Sequence, residues 1–152
     1  MVDSRDKGMR AELKVRDELR TLTGLKWERV PASGALSAVH GLKGDLYIPN
    51  EKNLFAVEVK HYADDHISSK LLTDKTPQIE TWWQQTLRQG TQTGKTPLLI
   101  FKFDRSKTFC AIPKGYFGVD MPITKRHIYV GHLDIYIMLL SDFVTEYKPV
   151  FI

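Results

Sequence analysis

The stretch Asp45-Leu-Tyr-Ile-Pro49-Asn-Glu-Lys-Asn53-Leu54-Phe-Ala-Val-Glu58-Val-Lys60 decides how this chain is read. Two short apolar runs flank the polar segment from Pro49 to Asn53, whose composition marks a turn between two strands. The second run alternates, with Phe55, Val57 and Val59 on one face and Ala56, Glu58 and Lys60 on the other. If Asp45 begins the neighbouring antiparallel strand, it lies near Glu58, and two carboxylates and an ammonium converge. Hard divalent cations take oxygen ligands of that kind. An adjacent lysine holds an attacking water or a phosphate oxygen. The plainer reading is an edge strand that carries Glu and Lys on its wet face.

On the N-terminal side, residues 4 to 23 predict a helix capped by Asp3 or Ser4 and ended by Thr23-Gly24. Its apolar stripe is Ala11, Val15, Leu19 and Leu22. Glu12 falls within that stripe. A carboxylate there faces the core, paired or on a metal, or lies at the stripe edge bonded to Arg16 at i,i+4. Lys26 to Val30 predicts a first strand. Pro31 to Ser37 reads as a loop, either a phosphodiester contact or a connector, and His40-Gly-Leu-Lys-Gly44 leads into Asp45.

On the C-terminal side, the alternation ends at Lys60. His61 to Thr76 reads as a long polar segment of the kind used as a lid, flap or dimer contact. Pro77 opens a helix closed by Gly90. Ile79, Trp83 and Leu87 form its inner face, with Trp82 and Gln85 off that stripe and Gln84 beside it. Trp82 is either core or a base-stacking ring. Strands follow at Pro97–Phe103, Thr108–Ile112, Arg126–Val130 and Leu133–Leu140, then a short helix at Ser141–Tyr147. Lys102 is the one charge in the first of these and is expected to face the Glu58 pocket. Early strands joined by short turns, then a crossover helix, predict one mixed sheet flanked by helices.

The 152 residues suit one domain spanning 1–152. Net charge is +4 with a pI near 9.1, compatible with nucleic acid. Lysine and arginine outnumber acids between residues 95 and 126, which suits phosphate contacts or simply a solvated face. No apolar run approaches the roughly 18 residues of a membrane span, and the N-terminus lacks a signal-peptide core. A cytoplasmic protein without membrane contact is expected. The lone Cys110 reads as a buried thiol in a reducing compartment. Histidine and cysteine spacing does not suit zinc. The chain also lacks the phosphate-cradling glycine loop of an ATP site, so no nucleotide cofactor is expected.

Taken in order, Lys7-Gly8-Met-Arg-Ala-Glu12, Arg29, Ser33-Gly34, Gly44-Asp45, Glu58-Val-Lys60, Gln84-Gln85 and Lys102-Phe103 resemble the archaeal-type (Hjc-like) Holliday junction resolvases. These belong to the PD-(D/E)XK, or restriction-endonuclease-like, nucleases. The resemblance runs from about residue 7 to about residue 103. It departs from the motif at Gly44, where the motif name has proline, and weakens in residues 61–76 and after about residue 104.

The resemblance implies a restriction-endonuclease-like α/β (α+β) fold with a mixed central sheet of about five strands. It implies Mg²⁺ or Mn²⁺ held by Asp45, Glu58, the Val59 carbonyl and Glu12, with Lys60 positioning or activating the water. Ser33 lies near the scissile phosphate, and Arg29, Gln84, Gln85 and Lys102 contact substrate or support the site. The expected activity is paired symmetric cutting of four-way junctions by a homodimer in recombination and repair, encoded by a phage in one version of the reading. Cutting of flap, duplex or single-stranded DNA is the alternative, and a non-catalytic nucleic-acid-binding domain the third.

Overall fold

The computed structural model describes residues 4–31, 44–65 and 67–152, with side chains from Lys7 onward. The cap at Asp3, the loop residues Ser33 and Gly34, His40 and His66 lie outside the described residues. Helix α1 (Ser4–Thr23) leads into β1 (Glu28–Arg29), β2 (Leu46–Tyr47) and β3 (Phe55–Tyr62). A short α2 (Lys70–Thr73) and the longer α3 (Gln78–Thr93) precede β4 (Thr96–Phe103), β5 (Phe109–Pro113), β6 (Ile128–Val130) and β7 (Ile135–Leu139). Helix α4 (Leu140–Tyr147) ends the series. The strands form one sheet in the order β1-β2-β3-β4-β5-β7-β6. Only β3 and β4 run parallel, because α3 crosses over between them; the other pairs are antiparallel. The expected mixed sheet is present, with seven strands rather than about five. The count of about five came from the resemblance, whereas the residue pattern marks a strand at each of the seven positions.

Strand alternation divides the interior in two. Phe55, Val57 and Val59 join Leu98, Ile100 and Cys110 beneath Ala11, Val15 and Leu19 of α1 and Phe143 and Val144 of α4. Leu99, Phe101, Phe103, Ala111 and Ile137 face Ile79, Trp82 and Trp83 of α3. Strand β3 is therefore third of seven and covered on both faces, not an edge strand. Its alternation also runs past Lys60 to Tyr62, so the expected polar segment starts two residues late and contains α2. Helix α3 does not stop at Gly90. It continues to Thr93, with Gly94 in the left-handed conformation at its cap. Gly90 is needed inside the helix because a Cβ there would meet the Lys95 carbonyl oxygen at 2.7 Å. Trp82 is 2% exposed and Leu87 is 38% exposed. Trp82 is thus core and not an open stacking surface, and Leu87 is not on the inner face.

The β2–β3 hairpin is set by two local devices. Asn53 is buried, its side chain accepting from the Ile48 N–H at 2.7 Å and donating to the Ile48 carbonyl at 2.8 Å. That clamp fixes the register in which Leu46 opposes Val57. Gly44 has φ +94°, and a Cβ there would lie 2.4 Å from the Val57 carbonyl oxygen. Glycine is required both for the backbone angle and for the close approach. Gly44→Ala is expected to destabilise the fold by about 1–3 kcal/mol. Gly8→Ala, inside α1 with nothing within 4 Å, should stabilise by about 0.5–1 kcal/mol. Urea unfolding midpoints measure both, and similar midpoints for the two variants would refute the close-approach argument.

Candidate active site

Asp45 stands at the start of β2, where its backbone is bonded on both sides. Its N–H donates to the Val57 carbonyl at 2.7 Å, and its own carbonyl accepts from the Val30 N–H at 2.9 Å. The carboxylate then turns to β3 and accepts the Val59 N–H on Oδ2 at 2.7 Å. This places it beside the Glu58 and Glu12 carboxyls, which line the same cleft and act on its titration. Glu58 is 4% exposed. Its Oε2 lies 3.8 Å from Lys60 Nζ, two residues further on the same face.

Glu12 is paired, as a carboxylate in the stripe must be, but not with Arg16. Arg16 is bonded to Asp17 instead, and Glu12 Oε2 accepts from Arg29 Nε at 2.7 Å. Arg29 thus bridges β1 to α1, a pairing across seventeen residues that helix periodicity does not reveal. Next to Ala11, at the margin of the buried stripe, Glu12 sits where α1 passes over the end of β3.

These groups line one cleft of about 480 Å³, together with Lys7, His61, Tyr62 and Gln85. Burial and the neighbouring Glu58 charge push the Asp45 carboxyl up from 3.8 to about 7, against the Val59 N–H, which lowers it. Burial also raises Glu12, and Arg29 opposes the rise. Among the described residues, no group of three acids, histidines or cysteines is arranged to hold an ion as it stands. Glu12 is turned to Arg29, and Asp45 Oδ2 to the Val59 N–H. The donor chemistry nevertheless fits a hard divalent cation. Two carboxyls are forced together in a poorly hydrated place, and a cation relieves the repulsion that now holds a proton there.

The other expected site residues divide. Gln85 lines the cleft, whereas Gln84 is exposed and does not. Lys102 pairs with His61 across β3–β4 and lines an adjoining recess of about 110 Å³ with Lys14, Lys60 and His61. It does not line the Asp45–Glu58 cleft, because β4 lies one strand further from Asp45 than β3, whose His61 does line it. His61 is bonded through Nε2 to Asp104 Oδ1 at 2.9 Å. Sequence reading passed over Lys7, His61 and Tyr62 as site residues. Continued alternation beyond Lys60 is the signal that exposes Tyr62.

A stability effect follows from Asp45. The unfolded chain ionises this group near 3.8, and the folded chain only near 7. The native state therefore binds the extra proton between those values. This contribution to stability is fully present below about pH 4 and is lost as pH rises through about 7, at up to about 1.4 kcal/mol per pH unit. In chelator, wild-type stability should fall between pH 5 and pH 7.5 relative to Asp45→Asn, which keeps an acceptor for the Val59 N–H but does not titrate. Parallel pH profiles from urea unfolding would contradict the assignment.

Comparison with known proteins adds the following. The Archaeoglobus fulgidus Hjc structure, a Holliday junction resolvase from an archaeal hyperthermophile, aligns over 89% of this chain and 85% of its own at 17% identity, with a TM-score of 0.42. Protein D14 of Escherichia phage T5 is 45% identical over 141 residues, which are 91% of this chain and 88% of that protein. Residues 3–151 match the family described as "Phage putative PDDEXK endonuclease", and the chain belongs to that phage endonuclease family.

Proposed function

We propose that residues 1–152 form one nuclease domain that hydrolyses DNA phosphodiester bonds with Mg²⁺ or Mn²⁺ and prefers branched DNA, four-way junctions foremost. The observation that carries this reading is the contact of Asp45 with Glu58 beside Lys60 in one open cleft. The motif residues shared with the junction resolvases support the choice of substrate. Asp45, Glu58 and the Val59 carbonyl would hold the ion, with Glu12 on the same side. In an extended strand a residue's N–H and C=O face the same neighbour, so the Val59 carbonyl is directed toward the side from which Asp45 approaches. When bound, the ion polarises the phosphoryl oxygens and lowers the pKa of a bound water.

The chain's own residues do the rest. The Val59 N–H fixes one Asp45 oxygen. Arg29 holds Glu12 at the cleft wall. Lys60 keeps its ammonium beside Glu58, where it restrains the attacking water and meets the anionic phosphate. Gln85 offers an amide from the α3 wall, Lys102 and Lys14 present charge to the flanking backbone, and Ser33, outside the described residues, would contact the substrate as the resemblance implies. Phosphate contacts of this kind position DNA without reading its bases. Two symmetric cuts call for a two-fold homodimer, acting on branched phage DNA in the host cytoplasm.

The test uses a synthetic four-way junction, a flap, a linear duplex and a single strand of matched sequence, each with Mg²⁺. Asp45→Asn, Glu58→Gln and Lys60→Ala should each lower kcat/KM about a hundredfold or more with the fold retained. Full cleavage by these variants would remove the site. Equal cutting of linear duplex would remove the branched-DNA preference. Metal-independent binding without cleavage would leave a binding module. In calorimetry, Mn²⁺ should bind the wild type and not Asp45→Asn.

A further inference from the structure

Tyr62 follows Glu58 and Lys60 on the same face of β3 and lines the same cleft. Same-face residues in a strand are spaced by roughly 7 Å, so the ring stands one such step beyond Lys60. It is 43% exposed, whereas Phe55, Val57 and Val59 of the same strand are buried. The ring is nevertheless held. Its centroid lies 4.9 Å from that of Trp82 at a tilt of 41°. Trp82 is buried and packs in turn on Phe101 at 5.9 Å and Phe103 at 6.4 Å. Tyr62 is therefore a partly open ring backed by a fixed aromatic wall.

Among the described residues of the cleft, the lysines, His61 and Gln85 suit phosphate oxygens. Tyr62 supplies the one phenol ring. Charged groups do not need such a ring, but a nucleobase does, since every base has a face that stacks on an aromatic. Base faces in an intact duplex are already stacked on one another. They open at a branch point, a flap or a single strand, and taking a base out of the stack elsewhere is unfavourable.

Resting on the nuclease reading above, we propose that Tyr62 is a specificity-determining residue that stacks on an unstacked nucleobase next to the scissile phosphate. The ring thereby favours DNA in which such a base is already exposed. Lys60 and Tyr62 then act on consecutive parts of one nucleotide, the phosphate and the base.

The test compares wild type with Tyr62→Phe, Tyr62→Leu and Tyr62→Ala. It measures kcat/KM on a four-way junction and the inhibition constant of a linear duplex as competitor. A fluorescent adenine analogue placed beside the mapped cut reports stacking in chelator, where no cleavage occurs. Tyr62→Phe should match wild type. Tyr62→Leu and Tyr62→Ala should lose about 5- to 150-fold on the junction, leave the duplex constant unchanged and abolish the fluorescence change. An unchanged junction rate in Tyr62→Ala would overturn the proposal, as would an equal loss on duplex. A shift in oligomeric state on sedimentation would assign the ring to a protein contact instead. A wild type that cuts no DNA removes the nuclease reading and this proposal together. A wild type that cuts, with Tyr62→Ala equally active, removes this proposal alone.

Discussion

Two carboxyls, the half-buried Asp45 and the buried Glu58, are held side by side in one cleft. Left to themselves they would separate or stay solvated. Several backbone features keep them together. Gly44 lets the chain pass against the Val57 carbonyl. The Val59 N–H donates to one Asp45 oxygen and holds it in place, and Asn53 locks the hairpin register. The repulsion is moderated by a raised Asp45 pKa rather than by distance. Lys60 and Arg29 supply positive charge at the two sides of the cleft.

The sheet around these groups is packed on both faces. Strand β3 is flanked by β2 and β4 and covered by α1 on one face and α3 on the other. The cleft opens where the short β2 begins and α1 crosses the end of β3. Its acids thus come from a helix, a strand start and a strand interior, all anchored in packed elements. Precise placement of such groups needs support of this kind. The same packing makes Trp82 a wall and leaves Tyr62 as the ring that reaches the opening.

Much of this was legible from local pattern. Helix α1 ends where Thr23-Gly24 predicts, and the Asp45–Lys60 hairpin follows its alternation and turn residues. Elements of two or three residues, such as β1 and β6, were placed but drawn too long, because so few positions carry no period that marks their ends. Gly90 misled because glycine marks a helix end and also a close approach, and only the position of Lys95 distinguishes them. Trp82 and Leu87 exchanged places for a related reason. The width of the buried face of α3 depends on the sheet beneath it, not on the helix itself.

By itself, the sequence determined the mixed sheet, the central hairpin and the identity of Asp45, Glu58 and Lys60 as one chemical group, because period-two alternation and turn chemistry are short-range properties. Only the tertiary structure decided the partner of Glu12, the separation of Lys102 from the acid cleft, and the exchange of Trp82 for Tyr62 at its rim. Each of these depends on which distant elements meet. That is settled by burying two faces of one sheet at once, a constraint that no window of sequence contains.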